Sequence, residues 1–164
     1  MIETEAAHIG FAPFNEDEQA LAAELRARYG RASVERVVSG PGLVEVYRFL
    51  GGGEWDIGDP GALWNAAIDG SDPAASDALD IWVPCFGSAA GDVALAQGAG
   101  AVVITGSLAN RIAGRIASPQ FLGRFIAKGR YRERMQRVPV RLATCEEPGL
   151  LGAAIAFERE WLKT

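Results

Sequence analysis

Histidine is almost missing from this sequence: His8 is the only one. The two cysteines, Cys85 and Cys145, lie far apart and fit no metal-ligand spacing, and neither makes a good nucleophile candidate. Basic charge is also short, with 16 Lys and Arg against 21 Asp and Glu and a net charge of -5. That balance argues against general binding to nucleic acid or anionic membrane, because both need a basic surface to displace counterions. No run of uninterrupted apolar residues approaches the roughly 18 that span a bilayer, and MIETEAAH at the N-terminus lacks the basic and apolar stretches of a secretion signal. The expectation is a cytoplasmic chain with reduced thiols.

What is present suits a folded α/β domain. At 164 residues, 49% hydrophobic and 23% charged, with 20 glycines against 8 prolines, the chain is long enough for one core. Asn15 and Glu18 have capping-box spacing, and Leu21, Leu25 and Tyr29 continue at helical spacing to a stop at Gly30. SVERVVSG reads as a buried strand, broken by GPG before LVEVYRFL resumes a helix. A glycine-rich loop over 51–61 precedes helices from about Pro60 to Asp69 and Pro73 to Gln97, the second with Pro84 and Gly87 as places to bend. AGAVVITGS and VPVRLAT are strands, LANRIAGRI is helical, and PGLLGAAIAFEREWL closes the chain as a helix. Strands alternating with helices predict a small mixed or parallel sheet with flanking helices.

Three features point toward chemistry. VVSGPGLV and VVITGSLA each run from a strand through glycine into a helix, where ligands gather in open α/β sheets. Neither completes a dinucleotide or P-loop motif, so turn punctuation without a ligand stays an alternative. Glu5 and His8 share one short loop and combine an acceptor pair with a donor or acceptor, which is what orienting polyol hydroxyls requires. Glu35, within an apolar segment, needs either a partner such as Arg31 or Arg36 or a cleft to face. Arg124, Lys128, Arg130, Arg132, Arg134, Arg137 and Arg141 form a basic segment opposed only by Glu133; it is a solvated helical face and following loop, or a local anion contact.

ETEAAHIGFAP, ERVVSGPGLVEVYR, VVITGSLANR, KGRY and EEPGLLGAA, in this order, resemble bacterial glucokinases over nearly the whole chain. The resemblance implies the actin-like ATPase, ribonuclease-H-like fold and transfer of a phosphoryl group from ATP, with Mg, to the 6-hydroxyl of glucose. It implies that Glu5 and His8, as the family's Glu-x-x-His motif, and Glu35 bind the sugar. It also implies that Ser39, Gly40, Pro41 and Gly42, with Thr105, Gly106 and Ser107, surround the adenosine side of the nucleotide. Ala6 and Ala7 stand where the family has glycines, Ser107 replaces the second glycine of its turn, and Asp92 replaces Asn in the family's GNLAL.

The family's Asp-x-Gly-Gly-Thr phosphate loop, its second phosphate loop and the Asp that acts as general base have no counterpart here. The resemblance therefore implies a single C-terminal domain over 1–164 without the N-terminal catalytic half, inactive alone and with a sheet edge open for a partner. That partner is the missing half or a second copy. A non-catalytic sugar or nucleotide module and an interaction protein pairing through that edge are the rival readings.

Overall fold

The structure is a computed structural model, and it describes residues 5–53, 61–145 and 147–161. A 3-10 turn at Ala6–His8 leads to α1 (Glu16–Tyr29), α2 (Val34–Val37), α3 (Gly40–Phe49), α4 (Gly61–Asp69) and α5 (Pro73–Ala96). Then come β1 (Val102–Ile104), α6 (Ser107–Arg111), α7 (Ala113–Ile116), α8 (Pro119–Ile126), a 3-10 turn at Gly129–Tyr131, α9 (Arg132–Gln136), β2 (Val140–Leu142) and α10 (Pro148–Trp161). The expected loop at 51–61 lies mostly outside the described residues, as does the Pro60 start of α4.

Local chemistry sets the main boundaries. Asn15 caps α1 by accepting from the Glu18 N–H at 2.8 Å, and Gly30 ends it in the left-handed region. The Glu18 carboxylate reaches one residue further back than a capping box requires, accepting from the Phe14 N–H at 2.8 Å. α5 runs unbroken through Pro84.

The segment 33–40 is not the strand its valines suggest. Ser33 makes an antiparallel bridge to Gly10 and the Val34 N–H donates to the Ile9 carbonyl, after which the chain turns into the short helix α2. Burial of Val37 outweighs the β-propensity of a four-residue segment. The GPG that follows is a helix start: Ser39 caps α3 and Pro41 sits in its first turn, where its missing N–H costs nothing.

α5 is the central element, packed against α8, α4 and α3. Gly87 and Gly91 let α8 approach closely, since a β-carbon on either would stand 2.3 Å from the Phe121 or Phe125 carbonyl oxygen. Trp64, Trp82, Phe86, Phe121 and Phe125 form a continuous aromatic run through this crossing. Among the described residues α5 is also the helix long and apolar enough to cross a membrane, with mean hydropathy 1.2. Asp77, Asp80 and Asp92 interrupt it, and Leu79, Trp82 and Val83 pack into the core.

β1 and β2 pair in parallel, with Val102 opposite Val140 and Ile104 opposite Leu142. This is the expected parallel α/β sheet in its smallest form. Parallel strands are ordinarily covered on both faces and flanked by further strands. Here Val103 is 62% exposed, and an apolar groove of about 500 Å3 runs from Ala6 and Ala7 past Ala90 and Val93 to β1.

Candidate functional site

Glu5 and Glu35 converge on the lone histidine. His8 Nε2 lies 3.2 Å from a Glu35 carboxylate oxygen and 4.0 Å from one of Glu5, and all three side chains are exposed to solvent. The 3-10 turn fixes Glu5 relative to His8 through the His8 N–H bond to the Glu5 carbonyl at 3.0 Å. The bridge between Gly10 and Ser33 then brings α2, and with it Glu35, alongside. Ala6 and Ala7 both have negative φ, so the turn does not use the conformational freedom that glycines would offer there. Glu35 pairs with His8 rather than with Arg31 or Arg36.

Glu35 also lines a cavity of about 270 Å3 with Arg36, Ser39, Pro41, Gly42 and Glu45. The glycine loop on its wall is held from beneath by two buried indoles. Trp82 donates to the Ser39 carbonyl at 3.2 Å and Trp64 to the Gly40 carbonyl at 3.0 Å. Gly42 is buried so tightly that a β-carbon would stand 2.1 Å from the Val37 carbonyl oxygen. Glu45, only 2% exposed, accepts from the Tyr29 hydroxyl and from Arg28, each at 2.6 Å. The hydrogen bonding at Tyr29, opposed by some burial, leaves the Arg28 guanidinium pKa above its ordinary value.

The Thr105–Gly106–Ser107 turn lines a different cavity of about 690 Å3, together with Asn110, Cys145 and the start of α10. Glu147 stands at that start with φ 47°, the one non-glycine in the left-handed region among the described residues. Ser39 and Thr105 meet only at a smaller cavity of about 170 Å3 over Trp82 and Phe86. Thus Glu5, His8 and Glu35 form one cluster, Glu35 and the Ser39–Gly42 loop share one wall, and the Thr105–Ser107 turn forms a second site. Trp64, Trp82, Tyr29 and Glu45 carry no sequence signal beyond their place on helices.

The basic segment divides. Arg124 and Lys128 turn inward, Arg124 onto Glu18 and Lys128 onto Asp92 at 2.8 Å and the Ser88 carbonyl at 2.9 Å. Arg130, Arg132, Arg134, Arg137 and Arg141 are exposed. Among the described residues no group of three His, Cys, Asp or Glu could hold a metal ion. Cys85 is buried, which pushes its thiol pKa far up, with the Glu18 carboxylate adding to the shift.

An α/β chain whose polar cluster and glycine turns border open cavities has the form of a small-molecule-binding domain. Compared with known proteins, it matches the glucokinase family over residues 1–160. The chain belongs to the glucokinase family. It is 44% identical over 164 residues to a glucokinase of Zymomonas mobilis, covering 98% of this chain and 51% of that protein. Against a Caulobacter glucokinase it is 36% identical, covering 95% of this chain and 48% of that one. A crystal structure of glucokinase from an Antarctic psychrotroph superposes with TM-score 0.84 at 31% identity, over 97% of this chain and 51% of the other. A Balamuthia mandrillaris glucokinase solved in complex with glucose shares the fold, with TM-score 0.70 at 14% identity, over 88% of this chain and 44% of its own. The chain spans about half the length of the curated relatives it matches.

Proposed function

We propose that this chain is the C-terminal domain of a cytoplasmic glucokinase, supplying the hexose site and the adenosine side of the nucleotide site. The observation that carries this reading is the convergence of Glu5 and Glu35 on His8. Two carboxylates accept hydrogen bonds from neighbouring sugar hydroxyls, and the imidazole donates or accepts a third. A site built this way discriminates against a sugar lacking a hydroxyl, because the group that faced it is left unpaired.

We assign the adenosine side of ATP to the second site. The Thr105–Ser107 cavity lies in the size range of small-molecule pockets, and Thr105, Ser107 and Asn110 supply polar groups at its wall. Magnesium ordinarily binds through one or two carboxylates together with the substrate phosphates, so its site belongs to the complete enzyme with its nucleotide bound. Phosphoryl transfer needs metal, phosphate loops and base in one cleft, and this sequence carries neither the phosphate loops nor the Asp that the family resemblance supplies elsewhere. The chain alone is therefore inactive, and its part in the reaction is to bind and orient. The exposed face at Val103 and the apolar groove beside it favour a surface that the rest of a glucokinase covers.

The test is ATP-dependent glucose phosphorylation by the purified chain, followed as ADP release. No turnover is expected from the chain alone, and turnover is expected once the remaining half of a glucokinase is added. Turnover by the chain alone that disappears in Glu5→Ala would place a working base within these residues and overturn the half-enzyme reading.

A further inference from the structure

Glu35 reaches His8 from a helix of only four residues. Such a helix has no cooperative stability of its own, so its rotation is set by what its side chains touch. Val37 is buried on one side. Arg36, about 100° around the axis from Glu35 at 3.6 residues per turn, lies over the Tyr29 ring with its guanidinium carbon 3.9 Å from the centroid. That ring is held at both ends: its backbone closes α1, and its hydroxyl is fixed on the buried Glu45 of α3. Arg36 has no ion pair among the described residues, which leaves the ring as the partner that directs it.

We propose that Arg36 is a positioning residue for the Glu5–His8–Glu35 cluster, its stack on Tyr29 fixing the rotation of α2 and thereby the Glu35–His8 contact. The consequence for sugar binding rests on the function proposed above; the positional claim is read on His8 itself. An arginine suits this role because its planar guanidinium stacks on an aromatic face, whereas a lysine offers only a point charge there.

Because His8 is the only histidine, its Cε1–H resonance in a 1H–13C spectrum of the chain is one unambiguous signal. At a fixed pH, Glu35→Gln shifts this signal, and Arg36→Ala shifts it in the same direction while the melting midpoint stays near that of the parent. Arg36→Lys gives a smaller displacement. Tyr29→Leu, which removes the stack from the other side, reproduces the Arg36→Ala shift. Glucose titrated on the same signal binds about three- to tenfold more weakly to Arg36→Ala. The proposal is overturned if Arg36→Ala leaves the signal in place while Glu35→Gln moves it, or if Glu35→Gln itself moves nothing. If the variants shift as expected but glucose perturbs none of them, the positioning stands and the sugar-site reading fails.

Discussion

Arg124 clamps Glu18 across 106 residues of sequence, with its two terminal nitrogens 2.6 and 3.0 Å from the two carboxylate oxygens. The carboxylate is 2% exposed and the guanidinium 11%. The Phe14 ring covers the outer face of the guanidinium at 4.2 Å, and the same carboxylate caps the Phe14 N–H. One acid thus starts α1 and ties it to α8. Removing it leaves a buried cation unpaired, which costs far more than the intact pair contributes. Glu18→Gln is expected to lower stability by about 3–5 kcal/mol in urea unfolding. An unchanged midpoint would mean the pair is solvated in solution.

Alkaline conditions should weaken the fold through two groups. Burial, with Glu18 adding to it, raises the Cys85 thiol above its ordinary 9.0, and burial with the Asp72 hydrogen bond raises the Tyr47 phenol above 10.0. In both cases the folded state holds the proton more tightly than the unfolded chain. The stability they contribute is fully present below about pH 9 and declines as the unfolded groups begin to ionise above it. Cys85→Ala combined with Tyr47→Phe should flatten the loss between pH 9 and 11 in thermal melts. A maleimide should label only the exposed Cys145 in the native chain and both thiols after unfolding.

Gly42→Ala forces a methyl against the Val37 carbonyl at the joint between α2 and α3. The backbone on both sides must shift, so the substitution should destabilise by about 1–3 kcal/mol and weaken any ligand held by the Ser39–Gly42 loop. Gly114→Ala, with nothing within 4 Å of the added carbon, should be tolerated and serves as the control. Equal melting midpoints for the two variants would refute the tight packing described at Gly42.

Asp92 pairs with Lys128, whose side chain is 7% exposed. Asp92 is itself 44% exposed, so solvent screens the pair. Asp92→Asn should cost no more than about 1 kcal/mol and leave glucose affinity unchanged. A large loss of affinity would move Asp92 from the α5–α8 joint into the ligand site.

Much of the architecture was legible in the residues. The Asn15 cap, the Gly30 stop, the long helix after Pro73 and both short strands stand where capping chemistry and apolar periodicity put them. Segment 33–40 reads as a strand because its valines carry β-propensity, while its conformation is decided by the Ser33 bridge and the burial of Val37. Glu5 and His8 are paired by their short shared loop, whereas Glu35 joins them only through the family resemblance, since no spacing in the sequence predicts that bridge. The inward turn of Arg124 and Lys128 was hidden for a related reason: charge runs ordinarily face water, and their partners lie on distant helices. The indoles under the glycine loop have no sequence signature at all.

α10 has fourteen residues and buries none of them, with Leu150, Leu151, Phe157 and Trp161 more than half exposed. A peptide of that length is at the margin of holding a helix by itself in water. Its ellipticity is therefore a reporter of its surroundings: the 222 nm signal of this segment should melt first on heating the free chain. It should recover when something apolar closes over Trp161, whose emission would move to the blue as water leaves the indole.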